Sequence, residues 1–300
     1  MKTKVSGKPL QVPVKLILLI FVLTSGCASK APVLPASSPM DESLPDFTPA
    51  RHLVFIGLDG WASAYFDQAD MPTVKRMMAG GASSLELRCV MPSNSWPNWA
   101  VLFSGALPEN YDTARVPSIV SLVKNAGYEK NPVHFYEWTD MEQITPAEIT
   151  DLHRIYTDLD SAKFVADYIR ERKPVFTAVT LNEPDATGHK KRWGSASYYA
   201  KLKEIDGLIA IIEQAVIGVG IYDDTVFVLS ADHGGVFWGH GRNSAKQREI
   251  PLIIYGRIIK AGYAIPPPLD IYDVAPTMAA ILGLEIPKEW DGRPIAGILN

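Results

Sequence analysis

The sequence predicts an α/β fold, a three-layer αβα sandwich in which helices cover both faces of a mostly parallel sheet. Short apolar runs such as residues 52–58 alternate along the chain with helical patterns such as residues 197–219. The apolar runs show no polar alternation, which indicates strands that are buried on both faces. No repeat of roughly 20–50 residues is present, which excludes a solenoid.

The elements follow from these patterns in chain order. Strands are predicted at 52–58, 84–90, 133–138, 175–181, 225–230 and 250–255, and helices at 72–80, 98–104, 117–127, 161–171, 197–219 and 272–282. The first helix illustrates the reasoning, because Pro72 suits a first helical position and Gly80 suits the residue after a helix.

Composition limits the function. Hydrophobic residues make up 47% of the 300 residues and charged residues 21%, a balance that supports a globular core. The formal net charge is −4, and the first 26 residues contribute four lysines and no acid, so the body of the chain is more acidic still. An acidic body predicts no nucleic-acid-binding surface, and an anionic substrate must be attracted locally, by metal ions or backbone N–H groups.

The N-terminus predicts export. A basic segment precedes the apolar run 16–23, which is too short to span a bilayer, and small residues then precede Cys27. This pattern resembles the lipobox of bacterial lipoproteins. We expect a signal peptide over 1–27 with lipidation at Cys27, a Pro/Ser-rich tether over 28–50 and a catalytic domain over 51–300.

The expected location is the outer membrane facing the periplasm, or the cell surface, with contact to the membrane through the lipid anchor only. A plain secretory signal with an incidental cysteine is the alternative. Cys89 is the other cysteine of the chain, and we expect a buried thiol without a disulfide.

Polar side chains follow four of the predicted strands. They are Asp59, then Ser95 and Asn98, then Asp185 and His189, then Asp232, His233 and His240. Active sites of parallel sheets gather at the carboxyl ends of the strands, so we expect these groups at one rim. Carboxylate and imidazole together suit zinc or a similar metal, whereas calcium prefers oxygen alone. Taken singly, each group has a plainer reading as a turn residue, a cap or a hydrogen-bonded histidine.

Ser95 is the candidate nucleophile. It precedes a predicted helix, whose free N–H groups and positive dipole end would stabilise an alkoxide and a phosphate. Metal coordination is one way to activate a serine hydroxyl at neutral pH. The alternative is that Ser95 only caps the helix.

These motifs resemble those of the alkaline phosphatase superfamily, and most closely its type I phosphodiesterase and nucleotide pyrophosphatase branch, including bacterial secreted members. The resemblance covers residues 51 to about 295, in the family's motif order. The motifs are GLDGW, SWPNW, NEPDATGH, SADHGG, GHG and the closing stretch from IPLIIYG to EWDGRPI.

The resemblance implies a mixed, mostly parallel sheet and two divalent metal ions, with zinc favoured. One ion would be held by Asp185, His189 and His240, and the other by Asp59, Asp232 and His233, with Ser95 directed at it. Ser95 would attack phosphorus of a small phosphate ester and form a phosphoseryl intermediate that water releases. Asn98 would contact a phosphate oxygen, and its alternative is a helix-capping amide.

Two features leave the substrate open. After Asp112 the chain lacks the longer loop that is usual in the family and that walls the substrate pocket. Four aromatic residues are candidates either for that pocket or for the core: Trp96, Trp99, Tyr136 and Trp138.

Other functions are weighed against a phosphodiesterase. A phosphomonoesterase or phosphonate hydrolase is the nearest alternative. A monoesterase needs an extra cation for the second charge of its phosphate, and the run Lys190 to Arg192 reads instead as a solvated face. A sulfatase resembles C/S-x-P-x-R at the nucleophile, where this chain has Trp99 in place of the arginine. An inactive surface-binding lipoprotein is the remaining alternative, against which the full ligand set argues.

Overall fold

The computed structural model describes residues 48–110, 116–128 and 132–300, and within them eight strands form one sheet. The strands are β1 His52–Leu58, β2 Ala82–Arg88, β3 Val133–Tyr136, β4 Asp151–Arg154, β5 Phe176–Leu181, β6 Thr225–Ser230, β7 Glu249–Gly256 and β8 Tyr263–Ala264. The predicted signal peptide, Cys27 and most of the tether lie outside the described residues, as does the segment 111–115, which contains the site of the predicted shortened loop after Asp112.

The sheet is mixed and mostly parallel, which confirms the predicted fold class. The strand order is β4-β3-β5-β1-β6-β7-β2-β8. The first five strands of this order run parallel, β7 runs antiparallel to β6 and to β2, and β8 is parallel to β2. β1, β5 and β6 are almost wholly buried, as their continuous apolar sequences predict.

Helices form a layer on each face of this sheet. They are α1 Pro72–Ala79, α2 Ser95–Ser104, α3 Ile119–Asn125, α4 Met141–Ile144, α5 Leu159–Arg172, α6 Asp185–Lys191, α7 Ala196–Gly218, α8 Ala245–Arg248 and α9 Val274–Ile281. α1, α5 and α6 pack against α7, whereas α2, α3 and α9 pack against one another. In the described part of the chain, no helix has the length and apolar character that crossing a membrane requires.

The register of the central strands fixes where their loops begin. Leu58 of β1 pairs with Leu181 of β5, and Gly57 pairs with Ser230 of β6. The three strands are parallel, so they end side by side, and the segments that follow them leave the sheet at one rim.

The structure differs from the predicted elements at several ends. β2 begins and ends two residues earlier than predicted, and α2 begins at Ser95 rather than at Asn98. The predicted closing helix is present as α9, and a short 3-10 turn, Ile271–Asp273, replaces its first residues. β4 was not predicted, because its sequence DLHR is polar and lies at the half-exposed edge of the sheet.

A buried carboxylate of α7 connects this helix to the start of α1, which is far away in the sequence. Met71 precedes α1 and gives it no side-chain cap. Asp206 of α7, which is 4% exposed, accepts hydrogen bonds from Thr73 N at 3.0 Å and Val74 N at 2.9 Å instead. These are N–H groups of the first helical turn, which have no partner within their own helix. The cap of α1 therefore comes from another helix.

Replacing this cap is expected to destabilise the fold. Asp206→Ala should lower the free energy of unfolding by about 2 kcal/mol, because two buried N–H groups lose their acceptor. Asp206→Asn is the matched control and should lose less, because its amide retains one acceptor oxygen. Urea unfolding measures both values, and an unchanged midpoint in Asp206→Ala would contradict the capping role.

Candidate metal and phosphoester site

The side chains predicted to bind metal lie together at the rim where β1, β5 and β6 end. The ligand atoms of Asp185, His189 and His240 all lie within 4.8 Å of one another, and so do those of Asp59, Asp185 and His233. Residues that are far apart in sequence thus form one cluster of carboxylates and imidazoles.

The outer part of this cluster has distances that suit a tetrahedral ion. His189 Nε2 lies 3.1 Å from His240 Nε2 and 3.4 Å from Asp185 Oδ2, and His240 Nε2 lies 3.7 Å from Asp185 Oδ1. Zinc bonds of about 2.0–2.1 Å in a tetrahedron place neighbouring ligand atoms about 3.3 Å apart. The observed separations scatter around this value, so the three side chains fit a zinc-sized ion.

The inner part of the cluster surrounds the candidate nucleophile. His233 Nε2 lies 3.4 Å from Asp59 Oδ1 and 3.3 Å from Asp232 Oδ2. Ser95 Oγ lies 3.0 Å from His233 Nε2 and 3.5 Å from Asp59 Oδ1. Ser95 is the first residue of α2, and Asn94 occupies the capping position. The alternative role of Ser95 as the helix cap is therefore wrong.

Backbone carbonyls orient the three imidazoles. Their Nδ1 atoms are paired as His189 with Trp238 O at 2.9 Å, His233 with Gly234 O at 2.8 Å and His240 with Ser93 O at 2.9 Å. A carbonyl oxygen only accepts, so Nδ1 carries the proton in each ring and Nε2 presents a lone pair to the cluster. Burial also lowers the pKa of His233 well below its usual value, which keeps it neutral.

Two of these lone pairs face each other. With Nδ1 protonated in both rings, His189 Nε2 and His240 Nε2 are acceptors only 3.1 Å apart. Such an approach is unfavourable unless a proton or a cation lies between them. The pairing therefore fits imidazoles that share a cation.

The carboxylates of the cluster also lack enough positive partners. Asp59 and Asp232 are 3% and 0% exposed, and Asp185 Oδ1 and Asp232 Oδ2 are buried without a hydrogen-bond partner in the described structure. Burial, with repulsion from Asp185, raises the pKa of Asp232 to about 8, and burial raises that of Asp185 to about 6. Burial and the charges of Asp232 and Asp185 raise the pKa of Asp59 as well. Divalent cations would offset this repulsion, so the donor set fits metal ions.

A tight turn after β1 holds the carboxylates near one another. Gly60 has a φ of +70°, a conformation that glycine adopts readily, and a Cβ there would lie 2.8 Å from Asp185 Cβ. Gly60 N donates to Asp232 Oδ1 at 3.1 Å, and Asp185 N donates to Asp59 O at 2.9 Å. The Asp-Gly pair therefore allows three strand ends to meet without a steric clash.

Trp193 supports the outer ligands, and sequence analysis did not identify it. Its indole Nε1 donates to Gly60 O at 2.9 Å, and its backbone N donates to Phe237 O at 2.8 Å. The ring packs closely on Gly188 and Gly235. A Cβ at Gly188 would lie 2.6 Å from the ring, and a Cβ at Gly235 would lie 2.1 Å from it. The only signal in the sequence is a tryptophan between metal motifs that both contain glycine.

Asn98 does not occupy the position predicted for it. The side chain is fully buried, and its oxygen accepts from Val90 N at 2.8 Å. Its NH₂ group donates to Pro92 O at 3.2 Å and Asn94 O at 2.9 Å. The amide is thus engaged by the backbone before α2, and this geometry contradicts a contact with phosphate. Asn98 instead holds the segment that carries Ser95.

The four aromatic candidates divide between core and surface. Trp99 is 1% exposed, and its Nε1 donates to Asp59 Oδ2 at 3.4 Å, so it supports a metal-site carboxylate from within the core. Tyr136 is buried and Trp138 packs against the core. Trp96, which follows Ser95, is 37% exposed.

Two further predictions about side chains near the site are confirmed. Cys89 is a free, buried thiol in the described part of the chain, and burial raises its pKa to about 12. Lys190, Lys191 and Arg192 are exposed, as a solvated run should be.

Comparison with known proteins identifies the family. The family model described as type I phosphodiesterase / nucleotide pyrophosphatase matches residues 53–111 and 123–240, more than half of the chain. The chain belongs to this family. The family is part of the alkaline phosphatase superfamily, whose members depend on metal ions, so the match agrees with the cluster at the rim.

Curated relatives of this phosphodiesterase-family chain include hydrolases with different names. Arylsulfatase K of Xenopus laevis is 33% identical over 111 residues, which cover 35% of this chain and 20% of the sulfatase. Bis(5'-adenosyl)-triphosphatase enpp4 of Mus musculus is 22% identical over 215 residues, which cover 62% of this chain and 47% of the relative. The chain therefore spans less than half the length of either relative.

Solved structures show the same fold. Human ectonucleotide pyrophosphatase / phosphodiesterase 5 superposes with a TM-score of 0.70 at 11% identity, over 83% of this chain and all of the other. The phosphonate monoester hydrolase of Silicibacter pomeroyi gives a TM-score of 0.64 at 17% identity, over 81% and 75% of the two chains. These likenesses confirm the alkaline phosphatase-like fold.

Crowding Trp193 is expected to disrupt the outer ligands. Gly235→Ala places a methyl group against the indole, which must shift together with the segments bearing Asp185, His189 and His240. We expect a fall of about 1–3 kcal/mol in unfolding free energy and about a tenfold or greater loss of zinc affinity. Urea unfolding and competition with a chromogenic chelator measure the two effects.

Gly239→Ala is the matched control in the same loop. A Cβ at Gly239 meets no atom within 4 Å, so this variant should bind zinc as the parent protein does. Equal zinc affinity in Gly235→Ala and the parent would show that Trp193 does not support the ligands.

Proposed function

We propose that this protein is a two-zinc phosphodiesterase of the nucleotide pyrophosphatase type that acts through a phosphoseryl intermediate on Ser95. The observation that carries the proposal is the position of the Ser95 hydroxyl. Its Oγ lies 3.0 Å from His233 Nε2, at the start of α2 and beside a cluster of six potential ligands, which are the five grouped above and Asp232.

The residues present fit two divalent ions. Asp185, His189 and His240 would hold one, and Asp59, Asp232 and His233 would hold the other, with Asp185 close to both groups. Mixed nitrogen and oxygen donors favour zinc among the common metals. Bound there, the ions would act as Lewis acids and make an oxygen nucleophile available at neutral pH.

Ser95 would attack the phosphorus atom, and the start of α2 would bind the phosphate group. His233 Nε2 lies 3.0 Å from Ser95 Oγ and would be a ligand of the second ion, so in the metal-loaded site the Ser95 hydroxyl would give its proton to water and direct its oxygen at phosphorus. The unpaired N–H groups in the first turn of α2 would donate to the non-bridging phosphate oxygens, aided by the helix dipole. A bond forms between Ser95 Oγ and phosphorus, the ester bond breaks, and the leaving oxygen takes up a proton. Water then attacks phosphorus, the bond between phosphorus and Ser95 Oγ breaks, the serine oxygen takes up a proton, and the phosphate monoester that keeps the second ester group is released.

A diester is the substrate class that we favour. A diester carries one negative charge, whereas a monoester carries two. The motifs of this acidic chain offer no basic side chain that would offset the second charge, so a diester is less strongly repelled. The family match and the triphosphatase relative support the same choice. Trp99 occupies the position of the sulfatase arginine and is buried against Asp59, which argues against a sulfatase.

A panel of three esters tests this proposal. The zinc-loaded protein should hydrolyse bis-p-nitrophenyl phosphate faster than p-nitrophenyl phosphate, and p-nitrophenyl sulfate least. Chelation should abolish all turnover, and added zinc should restore it. Ser95→Ala should lower kcat by about a thousandfold or more while metal content stays near that of the parent, because its oxygen forms the covalent bond.

Ser197→Ala provides the matched serine control, because Ser197 is exposed on α7. This variant should retain full turnover. Phosphate found on Ser95 by mass spectrometry after an acid quench would support the intermediate. Normal turnover in Ser95→Ala, or a sulfate ester as the best substrate, would overturn the proposal.

A further inference from the structure

An exposed aromatic pair lies beside the outer metal ligands, and its rings have no part in the function described so far. Phe237 and Trp238 are 63% and 60% exposed, and their rings stack with centroids 6.5 Å apart and planes 24° apart. They form the two-residue tip of a small hairpin, in which Val236 and Gly239 exchange backbone hydrogen bonds of 3.0 and 3.2 Å.

The backbone at this tip is strained for the residue that it carries. Phe237 has a φ of +56° at the first tip position, where glycine is the residue that fits without a steric penalty. Gly234, Gly235 and Gly239 lie in the same loop, yet the strained position carries a large ring. Neither the left-handed backbone nor the exposure of two aromatic rings favours folding. Features that cost stability in this way concentrate at sites that contact other molecules.

Hydrogen bonds tie the tip to the site. Trp238 O accepts from His189 Nδ1 at 2.9 Å, and Phe237 O accepts from Trp193 N at 2.8 Å. His240 follows Trp238 by only two residues. The aromatic pair therefore has a fixed place at the outer edge of the group formed by Asp185, His189 and His240.

Ser95 lies at the other end of this cluster. It contacts His233, whose side chain is fully buried, whereas the side chain of His189 is 44% exposed. His233 stacks on His240 at 3.8 Å, and His240 in turn contacts His189. The cluster thus runs from a buried nucleophile to an open edge. In an in-line displacement the leaving group departs opposite the nucleophile, so a substrate that lies along the cluster would place its leaving group at the open edge, beside the aromatic pair.

We propose that Phe237 and Trp238 form a platform that binds a planar, aromatic leaving group of the ester and so determine leaving-group specificity. This role rests on the proposed function. Offset or edge-on contact between the rings and a planar group would contribute favourable binding without touching the phosphate. The fixed hairpin lowers the entropic cost of presenting two rings to a ligand.

Two diesters that differ only in the leaving group test the platform. Methyl p-nitrophenyl phosphate has a one-ring leaving group, and methyl 4-methylumbelliferyl phosphate has a two-ring phenol of similar acidity. Trp238→Ala should raise KM for the two-ring ester about fivefold to tenfold, and that for the one-ring ester less, because stacking grows with ring area. The kcat values should stay within about twofold.

Phe237→Gly separates binding from folding. Glycine adopts the positive φ freely, so this variant should keep or raise the Tm while KM for the two-ring ester rises. A lower Tm with an unchanged KM would show that the ring serves the fold and would overturn the proposal. Tyr156→Ala, at a 56% exposed tyrosine outside the site, is the control and should match the parent.

The side of contact has its own test. Thymidine 5'-p-nitrophenyl phosphate keeps the p-nitrophenol leaving group and enlarges the retained group. Trp238→Ala should leave the KM ratio of this ester to methyl p-nitrophenyl phosphate unchanged. A change in that ratio, with no dependence on the leaving phenol, would overturn the assignment to the leaving-group side.

Calorimetry with the Ser95→Ala variant measures binding of the two-ring ester in the absence of turnover. Adding Trp238→Ala should weaken binding of the two-ring ester by the same factor as the KM effect. If the parent hydrolyses no diester but this binding loss appears, the proposed function fails and the platform stands. If KM and binding are unchanged, and Trp238→Ala instead loses affinity for anionic phospholipid vesicles, the pair contacts membrane and the proposal is wrong.

Discussion

The structure depends on one electrostatic constraint: buried carboxylates and imidazole lone pairs point at one another with too few protons between them. Asp232 and His233 are fully buried, and His189 and His240 turn their Nε2 atoms together at 3.1 Å. Burying such groups without positive partners is costly, because each gives up its hydration. Divalent cations at these side chains would offset that cost and would also supply the chemistry that the proposed hydrolysis of a phosphate ester requires.

The sheet makes this arrangement possible by aligning three parallel strand ends. Each segment after a strand then needs a second device to bring its ligand inward. A glycine with positive φ serves after β1, a carbonyl orients each histidine, and Trp193 joins the turn at Gly60 to the hairpin near His240. The ligands are therefore positioned by backbone groups and by one buried ring. Such support is general in metal sites, where groups behind the ligands fix their direction.

The sequence predicted the sheet and the ligand cluster because both rest on local patterns. Continuous apolar strands predict burial on two faces, and carboxylate or histidine after several strands predicts one rim. Asn98 shows the limit of prediction from motifs. Its hydrogen bonds go to Val90, Pro92 and Asn94, and the motif SWPNW does not indicate how the segment before it folds. β4 was missed because an edge strand needs no apolar sequence. Trp193 and the strained Phe237 were missed because their roles come from contacts across the chain.

Anomalous X-ray scattering from crystals grown with zinc tests the central claim most directly. Difference maps above and below the zinc edge should show two peaks about 4 Å apart, the usual spacing of paired catalytic ions. One peak should lie among Asp185, His189 and His240, and the other among Asp59, Asp232 and His233, beside Ser95 Oγ. Zinc bound elsewhere with no peak between these side chains would contradict the account.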